Sequence, residues 1–322
     1  VTYSPTEKRD EHGRWTAGGA ASVNVVDAGN REHGEELAAK ATAVATDLGY
    51  DPKLISITDQ DKTFELNGKT YDYAGAAHIT GPDKGKIELF ANKIDDKTVN
   101  EVTAHEIGHQ KFQDYLDFYK VQRDFALEEP GPEPDPNGES YWQRRGGSMA
   151  VMSADGILRE PYASKYPVYQ EYEKIMQDAG GIDGFAKSDG ITDYSRQWWD
   201  AWKQGKARTD QAMHETIAEM TARDFVLGPS EDEIRDQFKK AGYSLDSSSS
   251  EGRTTYSVRK WKGRKTLDEA ELPHEIQKGL VYLRKNEIQK RFGMTSKYAE
   301  PAPEWKALYN AVNKHWQEQR ND

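Results

Sequence analysis

The 322-residue chain has no cysteine. Disulfides, zinc–thiolate sites and cysteine nucleophiles are therefore excluded, and any metal site must be built from His, Asp or Glu. No apolar run approaches the roughly 18 residues that a membrane-spanning helix needs, so no membrane partner is expected. A surplus of positive charge is missing too: 44 Lys and Arg stand against 55 Asp and Glu, a formal net charge of -11. Such a chain has little with which to neutralise phosphates, and nucleic acid is not an expected partner. The chain opens at Val1 with no charged-then-apolar signal pattern, as a processed product would. What it does have is 8 Trp, 17 Tyr and 9 Phe, which argue for a folded core within a polar composition.

Residues 1–22 are small and polar and read as a flexible arm. A helix is expected from Asn30 to Leu48, where Leu37, Ala41, Val44 and Leu48 recur at helical spacing and Gly49 supplies a C-terminal cap. Thr63–Leu66 and Lys69–Tyr71 flank Asn67-Gly68, a tight-hairpin pair. Ala74–Thr80 and Lys86–Phe90 read as two further strands around a Gly81-Pro82-Asp83 turn. The next helix has a capping-box pattern, Thr98 with Glu101, and runs to about Tyr119. Glu128–Ser140 is an acidic, Pro-rich loop that lacks the alternating acids of a calcium loop. Helices are expected at Tyr166–Ala179, Thr209–Leu227, after Glu269 and at Pro303–Gln319. Ser247–Gly252 reads as a low-complexity linker or loop.

The chemistry concentrates in TAHEIGHQ. On a helix, His105 and His109 project from one face a turn apart, so two imidazoles can hold one cation. Glu106 points roughly 100° around the helix and can reach an attacking water rather than the ion. This is the HExxH pattern of zinc peptidases. Val102, Phe112 and Leu116 share the histidine face and turn it into the protein.

A catalytic zinc site uses three protein ligands, so a third is required. The helix AMHETIAEMTARDF offers Glu215 and Glu219, four apart on a face with Ala218 and Ala222, whose small side chains would let two helices lie close. Glu215 is expected to coordinate and Glu219 to accept a hydrogen bond from a ligand histidine. The two roles could be exchanged, and His214 is a third competitor. The bland alternative is a solvated acidic stripe.

HEIGH followed by E-x-x-A-E on a later helix resembles the gluzincin zinc peptidases, in the thermolysin-like and lethal-factor-like branches. The resemblance covers residues 30–228 and is tight only over the two helices. It implies an α+β fold with a zincin-like core: a small mixed or antiparallel sheet, an HExxH helix, a mainly helical insertion over 120–208 and a mainly helical region over 229–322. It implies one catalytic zinc ion, Glu215 as third ligand and Glu219 as the support of a histidine. It also implies that an edge strand, matched here by Lys86–Phe90, pairs with extended substrate. The 106 residues from His109 to Glu215 are a long excursion for that family. The lethal-factor-like branch carries a tyrosine before its ligand glutamate in a T-x-Y setting. Tyr194 in ITDYSRQWW is the matching position, as an oxyanion donor or as one ring of an aromatic cluster with Trp198 and Trp199. His214 is the fallback donor. The arm SPTEKRDEHGRW resembles a segment of tailed-phage head-morphogenesis polypeptides, which implies a phage or prophage setting, virion partners, and a virion or host-cytoplasm location.

The expected activity is zinc-dependent hydrolysis of a protein or peptide substrate, with Glu106 as general base. Two other readings compete: a virion structural protein that keeps the zinc helix as a fold staple, and a toxin hydrolysing a host protein.

Overall fold

The computed structural model describes residues 22–26, 29–128, 162–188, 192–228, 231–250, 253–263, 265–273, 276–277, 279–284 and 300–321. The arm before residue 22, the Pro-rich loop over 129–140 and most of the expected insertion before Tyr162 lie outside them. The chain divides into two compact units. The first comprises Val1–Ala222 with Glu300–Asp322, and the second Arg223–Ala299. The fold is α+β.

In the first unit a four-stranded sheet has the order β1-β2-β6-β5, with β1 Asn24–Val25, β2 Ile55–Thr58, β5 Gly75–Ala77 and β6 Ile87–Phe90. β1, β2 and β6 run parallel, while β5 is antiparallel to β6. Ile55 and Ile57 of β2 and Ile87 and Leu89 of β6 are fully buried. This period-2 alternation presents one apolar face to the helices. Helix α1 (Arg31–Asp47) starts at Asn30, whose side chain accepts from the His33 amide, and buries Leu37, Ala41 and Val44. It packs on β1, β2 and helix α2 (Val99–Glu128).

The entrance to α2 is held by the Asp95 carboxylate, which accepts from the amides of Lys97 and Thr98 at 3.0 and 2.9 Å. The Thr98 hydroxyl accepts from the Asp95 amide at 3.0 Å. The helix continues nine residues past the expected stop at Tyr119. The extra turns do work the apolar pattern cannot reveal: Gln122 Oε1 accepts from the amides of Val168 and Tyr169 at 2.9 and 3.0 Å. It thereby caps a helix that has no side-chain cap of its own. That helix follows a short one, α3 (Tyr162–Lys165), and is α4 (Pro167–Ala179). It leads through α5 (Ile182–Lys187) to α6 (Asp193–Lys203) and α7 (Thr209–Leu227). The C-terminal helix Pro303–Asn321 packs on α2 and α4. Its buried Trp305 meets Phe185 and Trp199 at 4.7 and 5.7 Å between ring centroids.

Two expectations are corrected. Lys86–Phe90 is not an edge strand: β6 lies between β2 and β5, both of its sides are paired, and β5 is the end strand. The described part of the region after 229 is mainly helical but also holds a strand pair, and Ser247–Ser250 belong to a strand rather than to a linker or loop. Helix α8 (Glu231–Lys240) precedes a hairpin of β7 (Tyr243–Ser250) and β8 (Arg253–Lys260). The serine run pairs across the hairpin with threonines, Ser248 Oγ meeting Thr255 Oγ1 at 2.7 Å. Leu245 and Val258 turn inward to meet Ile234 and Phe238. Hydroxyl side chains satisfied across strands make a serviceable strand out of a sequence that reads as low complexity.

Candidate metal centre

The centre lies where α2 crosses α7. The crossing is close because Gly108 has no side chain: a Cβ there would stand 2.7 Å from Ala218 Cα and 2.8 Å from Thr221 Oγ1. On the other side of the same helical turn, β5 passes over Glu106. A Cβ on Gly75 would stand 2.8 Å from Glu106 Cγ. One turn of α2 is thus held between a strand and a helix at two glycines.

Four of the expected residues converge at this crossing. His105 Nε2 and His109 Nε2 are 3.2 Å apart. Glu215 Oε2 lies 3.3 Å from the first and 3.7 Å from the second. A tetrahedral ion with ligands at about 2.0–2.1 Å requires edges of about 3.3–3.4 Å, so the triangle fits zinc. Glu215 Oε2 is buried and makes no hydrogen bond of good geometry. A cation would supply what this oxygen lacks. Glu219 Oε1 sits 3.2 Å from His105 Nδ1, which fixes the imidazole with Nε2 toward Glu215. Of the two glutamates, Glu215 therefore has the ligand's place and Glu219 the supporting one.

Burial and close charges push the groups of the cluster in different directions. Burial opposes protonation of His105, yet the carboxylates of Glu215 and Glu219 hold its pKa well above the usual value. His109 is driven well below it, by burial and by the charges of His105 and His214. Glu106 is 6% exposed, and burial, with the Glu215 charge, raises its pKa to about 7. The Ala77 amide of β5 hydrogen-bonds its carboxylate and opposes that rise, as does His105.

Tyr194 is brought to the same place. Its ring centroid is 6.2 Å from that of His105 and 6.4 Å from that of Trp198, so it is both neighbour to the centre and part of an aromatic cluster. Helix α6 presents it from a Thr192–Ser195 capping box, and burial, then the Glu215 charge, raise its pKa well above the usual value. The phenol stays a donor. Trp199 turns the other way and donates to Thr216 Oγ1 at 2.9 Å, docking α6 on α7.

His214 is placed differently. It is 4% exposed and packs on Phe112 at 4.8 Å and on His109 at 5.7 Å between centroids. Burial lowers its pKa to about 4, so its ring is neutral near pH 7.

The sequence reading missed Tyr73, between hairpin strands β3 (Thr63–Leu66) and β4 (Lys69–Asp72) on one side and β5 on the other. Burial raises its pKa, with the Glu215 and Glu106 charges adding to the effect. Its ring packs on Phe64 at 4.7 Å, and Phe64 stacks on Trp198 at 6.0 Å. The hairpin is tied to α6 by Tyr71 Oη donating to Gln197 Oε1 at 2.6 Å and Asn67 Nδ2 donating to the Gln197 carbonyl at 3.2 Å. The available signal was period-2 alternation: Tyr73 and Gly75 share a face, and Gly75 lies over Glu106. Among the described residues, His105, His109 and Glu215 are the one group of His, Asp and Glu side chains whose ligand atoms gather as a metal requires. No protein-family model, curated protein or solved structure matches the chain.

Proposed function

We propose that the protein is a zinc-dependent endopeptidase of the gluzincin type, hydrolysing peptide bonds of a protein or peptide substrate. One observation carries the reading. Three ligand atoms from helices distant in sequence form a triangle of 3.2, 3.3 and 3.7 Å, and the carboxylate side chain of Glu106 stands one residue along from a ligand without belonging to that triangle.

A bound zinc ion would supply Lewis acidity, polarising the scissile carbonyl and bringing the pKa of a water toward 7. Glu106 takes the proton of the attacking water and passes it to the leaving amine. The Ala77 amide orients its carboxylate for that transfer. Tyr194 donates its hydroxyl hydrogen to the developing oxyanion, a role that a buried, un-ionised phenol beside the ligand histidine can fill. Extended substrate adds to the sheet along β5, the end strand nearest Glu106, rather than along β6.

The test is metal content together with turnover. Purified protein should carry about one zinc per chain and cleave casein in a chelator-sensitive manner. Glu106→Gln should retain the zinc and lose at least about 100-fold in rate. A Glu106→Gln variant as fast as wild type would remove Glu106 as base. A wild-type protein that holds zinc and cleaves nothing would leave the centre as a fold staple.

A further inference from the structure

The formal charge of the whole chain speaks against a nucleic-acid partner, but an average over 322 residues hides a local reversal. Six of the thirteen residues from 253 to 265 are Lys or Arg, and none is Asp or Glu. We propose that the turn after β8 binds single-stranded nucleic acid, with a base stacked on Trp261 and phosphates met by Lys260, Lys262 and Lys265. The site lies in the second unit and does not rest on the peptidase reading.

The backbone holds this turn at several points. The Trp261 amide donates to the Gly242 carbonyl at 2.8 Å, and the Gly263 amide to the Lys260 carbonyl at 2.7 Å. An antiparallel bridge joins Arg259 to Thr266, and the Leu267 amide donates to the Val258 carbonyl at 2.8 Å. The returning chain therefore brings Lys265 back beside Lys260. Lys262 has φ 64°, a left-handed conformation that Gly or Asn adopts with less strain. The turn thus displays a charged side chain that its own shape does not require.

The charges at the turn are uncompensated. Arg259 is neutralised by Asp246 at 2.7 Å. The next acids along the chain are engaged elsewhere, Asp268 with the Ala270 amide and Glu269 with Arg284. Lys260, Lys262 and Lys265 are exposed, and among the described residues no carboxylate pairs with them. Trp261 is 51% exposed, while Leu245 and Val258 of the same hairpin turn into the core. Its ring meets no other aromatic ring among the described residues.

An open indole face among unpaired ammonium groups suits unpaired nucleotides, because any base can stack on the ring while the lysines meet the backbone. A duplex keeps its bases in their own stacks. An acidic peptide would meet the lysines but leave the indole face without a flat partner. A membrane surface is held by buried apolar area, and Trp261 is the one large apolar side chain that this turn exposes.

The test is fluorescence anisotropy of a labelled oligothymidylate of about 12 nucleotides, titrated with the whole chain. The logarithm of the association constant should fall against that of salt concentration with a slope of about -2, three phosphates at about -0.7 each. Affinity then drops roughly 20-fold between about 50 and 200 mM salt. Trp261→Ala should weaken binding by at least about 5-fold and leave the slope unchanged. Lys262→Asn, which suits the left-handed turn, should make the slope shallower by about 0.7. Chelation of zinc and Glu106→Gln should leave the affinity as it was, so failure of the peptidase reading does not touch this one. No binding, or binding that both turn variants leave unchanged, overturns the proposal. Equal affinity for a duplex or for poly-glutamate, or binding confined to phosphatidylserine vesicles, overturns it as well.

Discussion

The two units differ in what they bury beside their apolar cores. At the centre of the first, two helices meet over charged and polar side chains, with His105, Glu106, His109, Glu215 and Glu219 packed together. The second is closed by Ile234, Phe238, Leu245, Val258, Leu272, Ile276, Leu280 and Leu283, an apolar cluster against which Tyr243, Tyr256 and Tyr282 pack. An apolar core is stabilised by the area it removes from water. A buried cluster of ionisable groups gains little that way and needs pairing or a metal to offset desolvation. The difference teaches that the first unit's polar centre is costly to bury, and that under the proposed reading its stability would be linked to the cation it held.

That contrast can be broken or sharpened by measurement. The largest effect is expected from Phe238→Ala, which should destabilise the second unit by about 3–5 kcal/mol while zinc content stays unchanged. Calorimetry with metal analysis checks both parts. Chelation should do the reverse, withdrawing about 4 kcal/mol from the first unit if zinc was present at about 1,000 times its Kd. The apolar unit should unfold as before, and a chelator that shifted both alike would erase the distinction. Gly108→Val should cost the first unit about 1–3 kcal/mol by forcing α7 away from α2, and zinc affinity should fall with it. The smallest change is expected from Tyr71→Phe. Loss of its bond to Gln197 should cost about 1 kcal/mol, with the Phe64 stack retained, as denaturant midpoints would report.

The clustering of His105, His109, Glu215 and Glu219 was more legible in the sequence than the fold around it. His105, Glu106 and His109 declare themselves because helical geometry fixes which side chains a four-residue spacing unites. Glu215 and Glu219 were separable only in part, since both sit on one face. The choice depends on which oxygen meets Nε2 and which meets Nδ1 of His105. Tyr73 stayed hidden because strand alternation names a face without saying what lies opposite. Helix α2 outran its expected end because a polar side chain, Gln122, finds its partners in another helix. The β7–β8 hairpin was missed for the converse reason: its serines carry no apolar signal, and their partners belong to the opposite strand.

The strand-and-helix grip on the turn from His105 to His109 bears on how an ion would enter the proposed centre. With no room for a side chain at Gly75 or Gly108, this turn of α2 lies close against β5 and α7 and its backbone has little space to shift. Under the proposed reading, loading would resemble filling a rigid chelator after folding, at a pace set by shedding of water from the incoming ion rather than by movement of the helix backbones.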